Sequence, residues 1–155
     1  MWKTLRLMGE DGWLKRAIER GTLVAVTDGS YMRELLPSLC SAAFILKCSE
    51  GSGRIVGSFA EASRAANAYR GELLGLMAIH LILLAGNKLW PELEGRAVVF
   101  SDCLGALGRV ANLPPPQHPN TMQTLRCAEE HPGELHRPDV QCQIRTCACP
   151  SRRPR

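Results

Sequence analysis

Three acidic residues stand next to apolar segments, at positions where a buried chain does not usually carry a charge. Asp28 directly follows the apolar run Thr22–Thr27, and Asp102 directly follows the apolar run Ala97–Ser101. Glu72 continues the apolar stripe of the long helical segment YRGELLGLMAIHLILLA. Carboxylates held close together need a cation, a shared proton or solvent between them. Their hard oxygen atoms suit Mg²⁺ or Mn²⁺, so the pattern predicts a metal site if the fold brings the three acids together.

The elements that would carry these acids follow the order β-β-β-α-β-α, which is typical of an α/β mixed sheet with helices packed on it. Two strands that are apolar on both faces are expected to lie centrally, covered and parallel, with Asp28 and Asp102 adjacent at their carboxyl edge. The predicted elements are a lead-in helix over 12–20, strands over 22–27, 41–48 and 54–59, a helix from about Asn67 to Gly86, a strand over 97–101 and a short helix over 103–111.

The helix is predicted to begin with Asn67 or Ser63 as its N-cap and to stop near Gly86. Gly71 and Gly75 remove side-chain bulk from it, so it can approach the sheet closely and bring Glu72 to the edge that carries the two aspartates. The sequence therefore predicts that all three acids meet at one end of the sheet.

Each acid also has an ordinary structural interpretation. Asp28-Gly29 is a common turn dipeptide, Glu72 is compatible with a solvated residue favoured by the helix dipole, and Asp102 is able to cap the helix that follows it. The conjunction of all three acids at matching positions favours the metal site. An interaction domain whose acidic edge binds no metal stays open as an alternative.

The bulk composition indicates one domain. The 155 residues are enough for a single core, 45% of them are hydrophobic, and no stretch approaches the length of continuous apolar sequence expected of a membrane span. Charges spread through the N-terminal segment argue against a signal peptide, so we expect an intracellular chain whose seven cysteines are reduced. The net charge of +4 permits an anionic partner such as nucleic acid.

The segments VAVTDGSY, AYRGELLGL and AVVFSDCLGAL, in this order and with a hairpin after the first, resemble the type 1 ribonuclease H domain attached to retroelement reverse transcriptases. The resemblance covers about residues 12–112. It implies a ribonuclease H-like fold with Asp28, Glu72 and Asp102 as three catalytic, metal-binding carboxylates. It also implies hydrolysis of the RNA strand of an RNA–DNA hybrid with two Mg²⁺ (or Mn²⁺) ions about 4 Å apart, and a polymerase domain that once preceded the chain.

The resemblance ends near residue 112. The fifth strand, the loop histidine and the last helix with a fourth aspartate are not visible after it, and no residue is assigned to those roles. His80 is interpreted as a core histidine. The remaining candidates, which match no catalytic or zinc motif, are Asp139, His118, His131, His136, Cys142, Cys147 and Cys149.

The chain is therefore divided into a lead-in or linker helix over 1–21, an incomplete ribonuclease H-like domain over 22–112, and a disordered tail over 113–155. A one-nucleotide shift of permitted codons over 117–153 gives an open frame with a helix-like and a strand-like pattern, which suggests that the tail is out of frame. Without a fifth strand and last helix, we expect the fourth strand to be an exposed edge and one sheet face to lose its cover. The alternative to an active enzyme is a catalytically dead, nucleic-acid-binding remnant of a retroelement.

Overall fold

A single mixed sheet and three helices make up the part of the chain that the structure describes. The structure, a computed structural model, describes residues 4–111, 125–128 and 141–146. The elements in chain order are β1 (Thr4–Met8), α1 (Trp13–Glu19), β2 (Leu23–Tyr31), β3 (Leu39–Cys48), β4 (Arg54–Ala62), α2 (Ala68–Leu89), β5 (Gly95–Phe100), α3 (Leu104–Ala111), β6 (Leu125–Ala128) and β7 (Gln141–Thr146).

The sheet has the order β1-β4-β3-β2-β5-β7-β6. Strands β2, β3 and β4 form an antiparallel meander, and α2 then returns the chain so that β5 pairs parallel with β2. This confirms the predicted mixed α/β fold, the order of its central elements and the parallel pairing of the two strands that precede Asp28 and Asp102. Strand β2 lies near the middle of the sheet, between β3 and β5.

Strand β2 is longer than predicted, and Asp28 lies inside it. Pairing with β3 continues from Leu23↔Cys48 to Tyr31↔Cys40, whereas the parallel pairing with β5 stops at Val26↔Phe100. The antiparallel hydrogen bonds hold the DGSY segment extended, so the turn preference of Asp-Gly is overridden. The strand does not end at the carboxylate; only its contact with β5 ends before it.

Helix α2 covers one face of the sheet and supplies much of the core. The residues of α2 that are buried are Gly71, Glu72, Gly75, Leu76, Ala78, Ile79, Leu83 and Gly86. By length and composition alone, α2 could cross a membrane, although no membrane span was predicted from the sequence. In the structure α2 packs on β2 and β3 as a core helix. It also runs past the predicted stop at Gly86 to Leu89.

The opposite face of the sheet is less covered than the apolar runs predicted. The side chains of Val26 on β2 and Ile45 on β3 oppose each other across the strand pair, and both are 45% exposed. Side chains alternate along β2, with Leu23, Ala25 and Thr27 buried toward α2. The expectation that β2 is covered on both faces is therefore wrong at Val26.

The N-terminal segment belongs to the sheet. Strand β1, which the sequence did not predict, pairs antiparallel with β4 over five residues, and α1 follows it close to its predicted position. The indole of Trp13 packs directly against Gly53, which precedes β4, and against Gly9. The range predicted as a linker thus contributes an edge strand and a packed helix, because the short alternating TLRLM stretch finds a free edge on β4.

Two short strands fall in the range predicted to be disordered. All six residues of β7 pair antiparallel with β5, and β6 pairs with β7. The prediction that β5 has an exposed edge is therefore wrong, whereas the absence of the fifth strand and last helix of a ribonuclease H-like fold stays a prediction. An unpaired edge exposes a row of backbone N–H and C=O groups, and β7 satisfies those of β5. The rest of 113–155 lies outside the described residues, as do Asp139, His118, His131, His136, Cys147 and Cys149.

We predict that Gly53→Ala destabilises the protein by about 1–3 kcal/mol, because an added methyl group there collides with the Trp13 ring in a packed site. Urea unfolding followed by tryptophan fluorescence measures the change. The matched control is Gly51→Ala in the same loop, where a methyl group meets only Cys48 at an ordinary 3.6 Å, with an expected change within about 0.5 kcal/mol. Equal stability of both variants would show that the N-terminal segment does not pack on β4.

Candidate metal centre

Asp28, Glu72 and Asp102 converge at one end of the sheet. Each contributes a carboxylate oxygen, and these oxygen atoms all lie within 4.8 Å of one another. Asp28 and Asp102 are exposed, whereas Glu72 is buried. The structure thus brings together the three residues that the sequence singled out, and it forms an acidic cluster that could hold a metal ion.

The parallel pairing of β2 and β5 places the two aspartates side by side. The last parallel pair is Val26↔Phe100, and Asp28 and Asp102 each stand two residues beyond it. Because parallel strands run in register, equal distance from the last pair brings both side chains to the same level of the sheet edge. Ser101, between β5 and Asp102, is buried, and its hydroxyl accepts a hydrogen bond from the Cys103 amide at 3.3 Å, which shapes the turn that carries Asp102.

Helix α2 delivers Glu72 by an unusually close contact with β2. Asn67 is its N-cap, as one of the two predicted alternatives, and its side chain accepts a hydrogen bond from the Arg70 amide at 2.8 Å. A methyl group on Gly29 would lie 2.6 Å from the carbonyl carbon of Gly71, and one on Gly71 would lie 3.0 Å from the Ser41 oxygen. The two backbones therefore touch, and only glycine fits between them.

The carboxyl group of Glu72 is held by the strand itself. The Gly29 amide donates a hydrogen bond of 2.8 Å to its Oε1 atom, while Oε2 is buried without a hydrogen-bond partner among the described residues. Burial raises the pKa of Glu72, and the neighbouring charges of Asp102 and Asp28 raise it further; the Gly29 amide and the Ser101 hydroxyl act in the opposite direction. A buried carboxylate with an unsatisfied oxygen, next to two more carboxylates, has the surroundings of a cation ligand.

The donor set fits a hard divalent cation. The cluster offers carboxylate oxygens alone, two of them on exposed side chains, which matches the preference of Mg²⁺ and Mn²⁺ for oxygen ligands and retained water. A cation there would partner the orphaned Oε2 of Glu72 and offset the repulsion among three acids. Asp28, Glu72 and Asp102 are accordingly the residues that would hold it.

Two residues beside Glu72 make contacts that the sequence did not predict. The guanidinium of Arg70 forms two hydrogen bonds with the carboxylate of Glu61 in β4, at 2.9 Å and 2.6 Å. The same pair lowers the pKa of Glu61 and raises that of Arg70. The Tyr69 hydroxyl donates to the Gly105 carbonyl oxygen in α3 at 3.3 Å. The only sequence feature that pointed to Tyr69 and Arg70 was their position next to Glu72, because their partners lie in other elements, β4 and α3.

The other sequence candidates stand apart from this cluster. His80 lies farther along α2, where it is partly buried, and this burial lowers its pKa. Among residues 4–111, the cysteines Cys40, Cys48 and Cys103 are free thiols. The group of acids that could hold a metal contains neither a histidine nor a cysteine.

Comparison of the chain with protein-family models, with curated proteins and with solved structures found no significant match. The structure itself shows the mixed α/β fold and the acidic cluster, and the resemblance to ribonuclease H rests on the sequence motifs.

The raised pKa of Glu72 predicts a pH-dependent stability of the metal-free protein. A carboxyl group whose pKa is raised by folding stabilises the protein fully below its unfolded pKa, and this contribution is lost as pH rises through the folded pKa. We expect metal-free Glu72→Gln to have a higher melting temperature than the wild type at neutral pH, and the gap to close as pH falls to the ordinary range of a glutamic acid.

Thermal denaturation in a chelator across pH measures this gap. Glutamine keeps an oxygen that accepts from the Gly29 amide, so the change removes the charge and leaves the hydrogen bond available. Glu34→Gln, at an exposed position in the β2–β3 loop, is the control. A difference between wild type and Glu72→Gln that stays constant with pH would contradict the buried, ionised carboxyl group.

Proposed function

We propose that the protein is a ribonuclease H-like, metal-dependent nuclease that hydrolyses the RNA strand of an RNA–DNA hybrid. The observation that carries the proposal is the convergence of Asp28, Glu72 and Asp102, whose carboxylate oxygens lie within 4.8 Å of one another. Each comes from one of three motifs that resemble the type 1 ribonuclease H domain of retroelement reverse transcriptases. The order of the elements that carry the motifs supports the same conclusion.

The three acids have different roles in this proposal. Glu72, fixed by the Gly29 amide and 8% exposed, is the rigid ligand that sets the position of the centre. Asp28 and Asp102 are exposed, so a cation held by them would remain accessible to water and to a scissile phosphate. The three acids would hold Mg²⁺, which when bound would supply activation of a water molecule and stabilisation of the leaving 3′ oxygen.

A phosphodiester is the substrate class that suits such a centre. Three carboxylates alone repel a polyanion, so substrate binding depends on the neutralising metal, and cleavage should require a divalent cation. Selection of a hybrid would rest on helix geometry and on the 2′-hydroxyl group, which distinguishes RNA from DNA. The acidic sheet edge is in this proposal the reaction centre, and affinity comes from phosphate contacts around it.

The second candidate function is a nucleic-acid-binding module of the same fold without catalysis. The observation that favours it is the size of the acidic cluster, which comprises three carboxylates among the described residues. In the family that the motifs resemble, a fourth aspartate completes the site. Three ligands hold a second cation less firmly, so this candidate predicts metal and hybrid binding without turnover.

We predict Mg²⁺-dependent cleavage of a labelled RNA–DNA hybrid, and its loss in Asp28→Asn. Outer-sphere partners of a metal cost about 10–100-fold when removed, so loss of a direct ligand should lower the rate by more than about 100-fold. Gel analysis of the cleavage products under single-turnover conditions measures it. Duplex DNA of the same sequence is the substrate control.

The matched control variant is Asp11→Asn, an exposed aspartate in the β1–α1 turn whose carbonyl, not its carboxylate, accepts from Arg16. It should cleave like the wild type. Background cleavage by the wild type and Asp28→Asn alike would exclude the enzyme, and a thermal shift in millimolar Mn²⁺ together with hybrid binding would then support the second candidate.

A further inference from the structure

We propose that Tyr69 and Arg70 are positioning residues that brace the first turn of α2 from two sides and thereby fix the Glu72 carboxylate in the metal centre. The brace consists of the Arg70–Glu61 ion pair toward β4 and the Tyr69–Gly105 hydrogen bond toward α3. The inference rests on the proposed metal centre and assigns two further residues to it.

Arg70 ties the helix to the sheet. Its Nε atom donates to Glu61 Oε2 at 2.9 Å and a terminal nitrogen donates to Oε1 at 2.6 Å, so the planar guanidinium and the carboxylate meet along two parallel bonds. Bidentate geometry of this kind fixes orientation as well as distance. Because Glu61 lies near the end of β4, two strands away from β2, this bond resists rotation of the helix start about its axis.

Tyr69 ties the same turn to the element that follows Asp102. Its hydroxyl donates to the Gly105 carbonyl at 3.3 Å, and a methyl group on Gly105 would lie 3.5 Å from the tyrosine ring. Gly105 stands three residues after Asp102, in the first turn of α3. The bond therefore links the segment that carries Glu72 with the segment that carries Asp102.

The centre needs this restraint because helix α2 begins only a few residues before Glu72. Asn67 caps the helix by one hydrogen bond to the Arg70 amide, and helix ends fray readily. Fraying there would withdraw the carboxylate from the Gly29 amide at 2.8 Å and from the two aspartates. Glu61 and Arg70 do not belong to the cluster of metal-ligand atoms, so they act through Glu72 and not on the cation.

The test is a double-mutant cycle on the metal affinity. Mn²⁺ titration followed by electron paramagnetic resonance should show Arg70→Gln and Glu61→Gln each weakening binding by about 2- to 5-fold, because a partly exposed ion pair contributes little stabilisation. The double variant should be no weaker than either single one, because one shared contact is lost in all three. Arg70→Lys, which keeps the charge and one bond, should recover part of the affinity, and Tyr69→Phe should lose a smaller part.

A second readout needs no metal. Hydrogen exchange of the Gly29 amide in the chelated protein reports whether its bond to Glu72 persists, and it should speed up in Arg70→Gln and in Glu61→Gln. If wild-type protein binds no Mn²⁺, the proposed function fails, and the exchange rate alone then decides whether the brace positions Glu72. The two failures are thus distinguishable.

The matched control is Lys15→Gln, which breaks the Lys15–Glu19 ion pair on α1, a pair with similarly exposed side chains. It should change neither readout. A lower melting temperature in Arg70→Gln with unchanged Mn²⁺ affinity and unchanged Gly29 exchange would overturn the proposal. So would loss of hybrid binding in Arg70→Gln alone, without an effect of Glu61→Gln, because Arg70 would then act on the substrate.

Discussion

The backbone contact between α2 and β2 is the constraint on which the rest of the structure depends. Gly29 on the strand meets Gly71 on the helix, and one turn farther along Gly75 lies over the hydroxyl of Thr27. A larger side chain at Gly29 would force the helix and the strand to a greater distance, because a methyl group there would lie 2.6 Å from the carbonyl carbon of Gly71. The glycines avoid that greater distance, so Glu72 reaches Gly29.

The close contact has an energetic cost, which is the burial of the Glu72 carboxyl group. Glu72 is buried with one oxygen unpaired and two acids beside it, and burial raises its pKa. Nothing in stability alone favours such a group, since an apolar residue of similar size would pack there without a desolvation penalty. Strained or unsatisfied groups of this kind concentrate at functional sites, and here the deficit is the one that a bound cation would remove.

Much of this site could be predicted from the sequence because its geometry follows from short-range patterns. Asp28 and Asp102 each come after an apolar strand, and the parallel pairing then fixes their relation without any long side-chain contact. Glu72 continues the apolar stripe of α2, which predicted that its side chain faces the sheet. The Arg70–Glu61 pair could not be predicted, since it depends on where the end of β4 lies relative to the helix start, which no local pattern encodes.

The errors have a common physical origin in strand pairing. The apolar run predicts a strand that ends at Thr27, but hydrogen bonds to β3 keep the strand extended to Tyr31. Strand β1 has only five residues and little burial, so its existence depends on the free edge of β4. The same holds for β7 at the edge of β5. A segment whose sequence does not clearly predict a strand can form one by pairing with a free sheet edge, whereas the central strands are predicted from their apolar content.

The acidic centre is consequently a property of the central elements. Its three residues lie on β2, on α2 and two residues after β5, all within residues 4–111. Strand β7 completes the sheet beside β5 but contributes no carboxylate to the cluster. The geometry that would bind a cation is therefore built from residues 4–111.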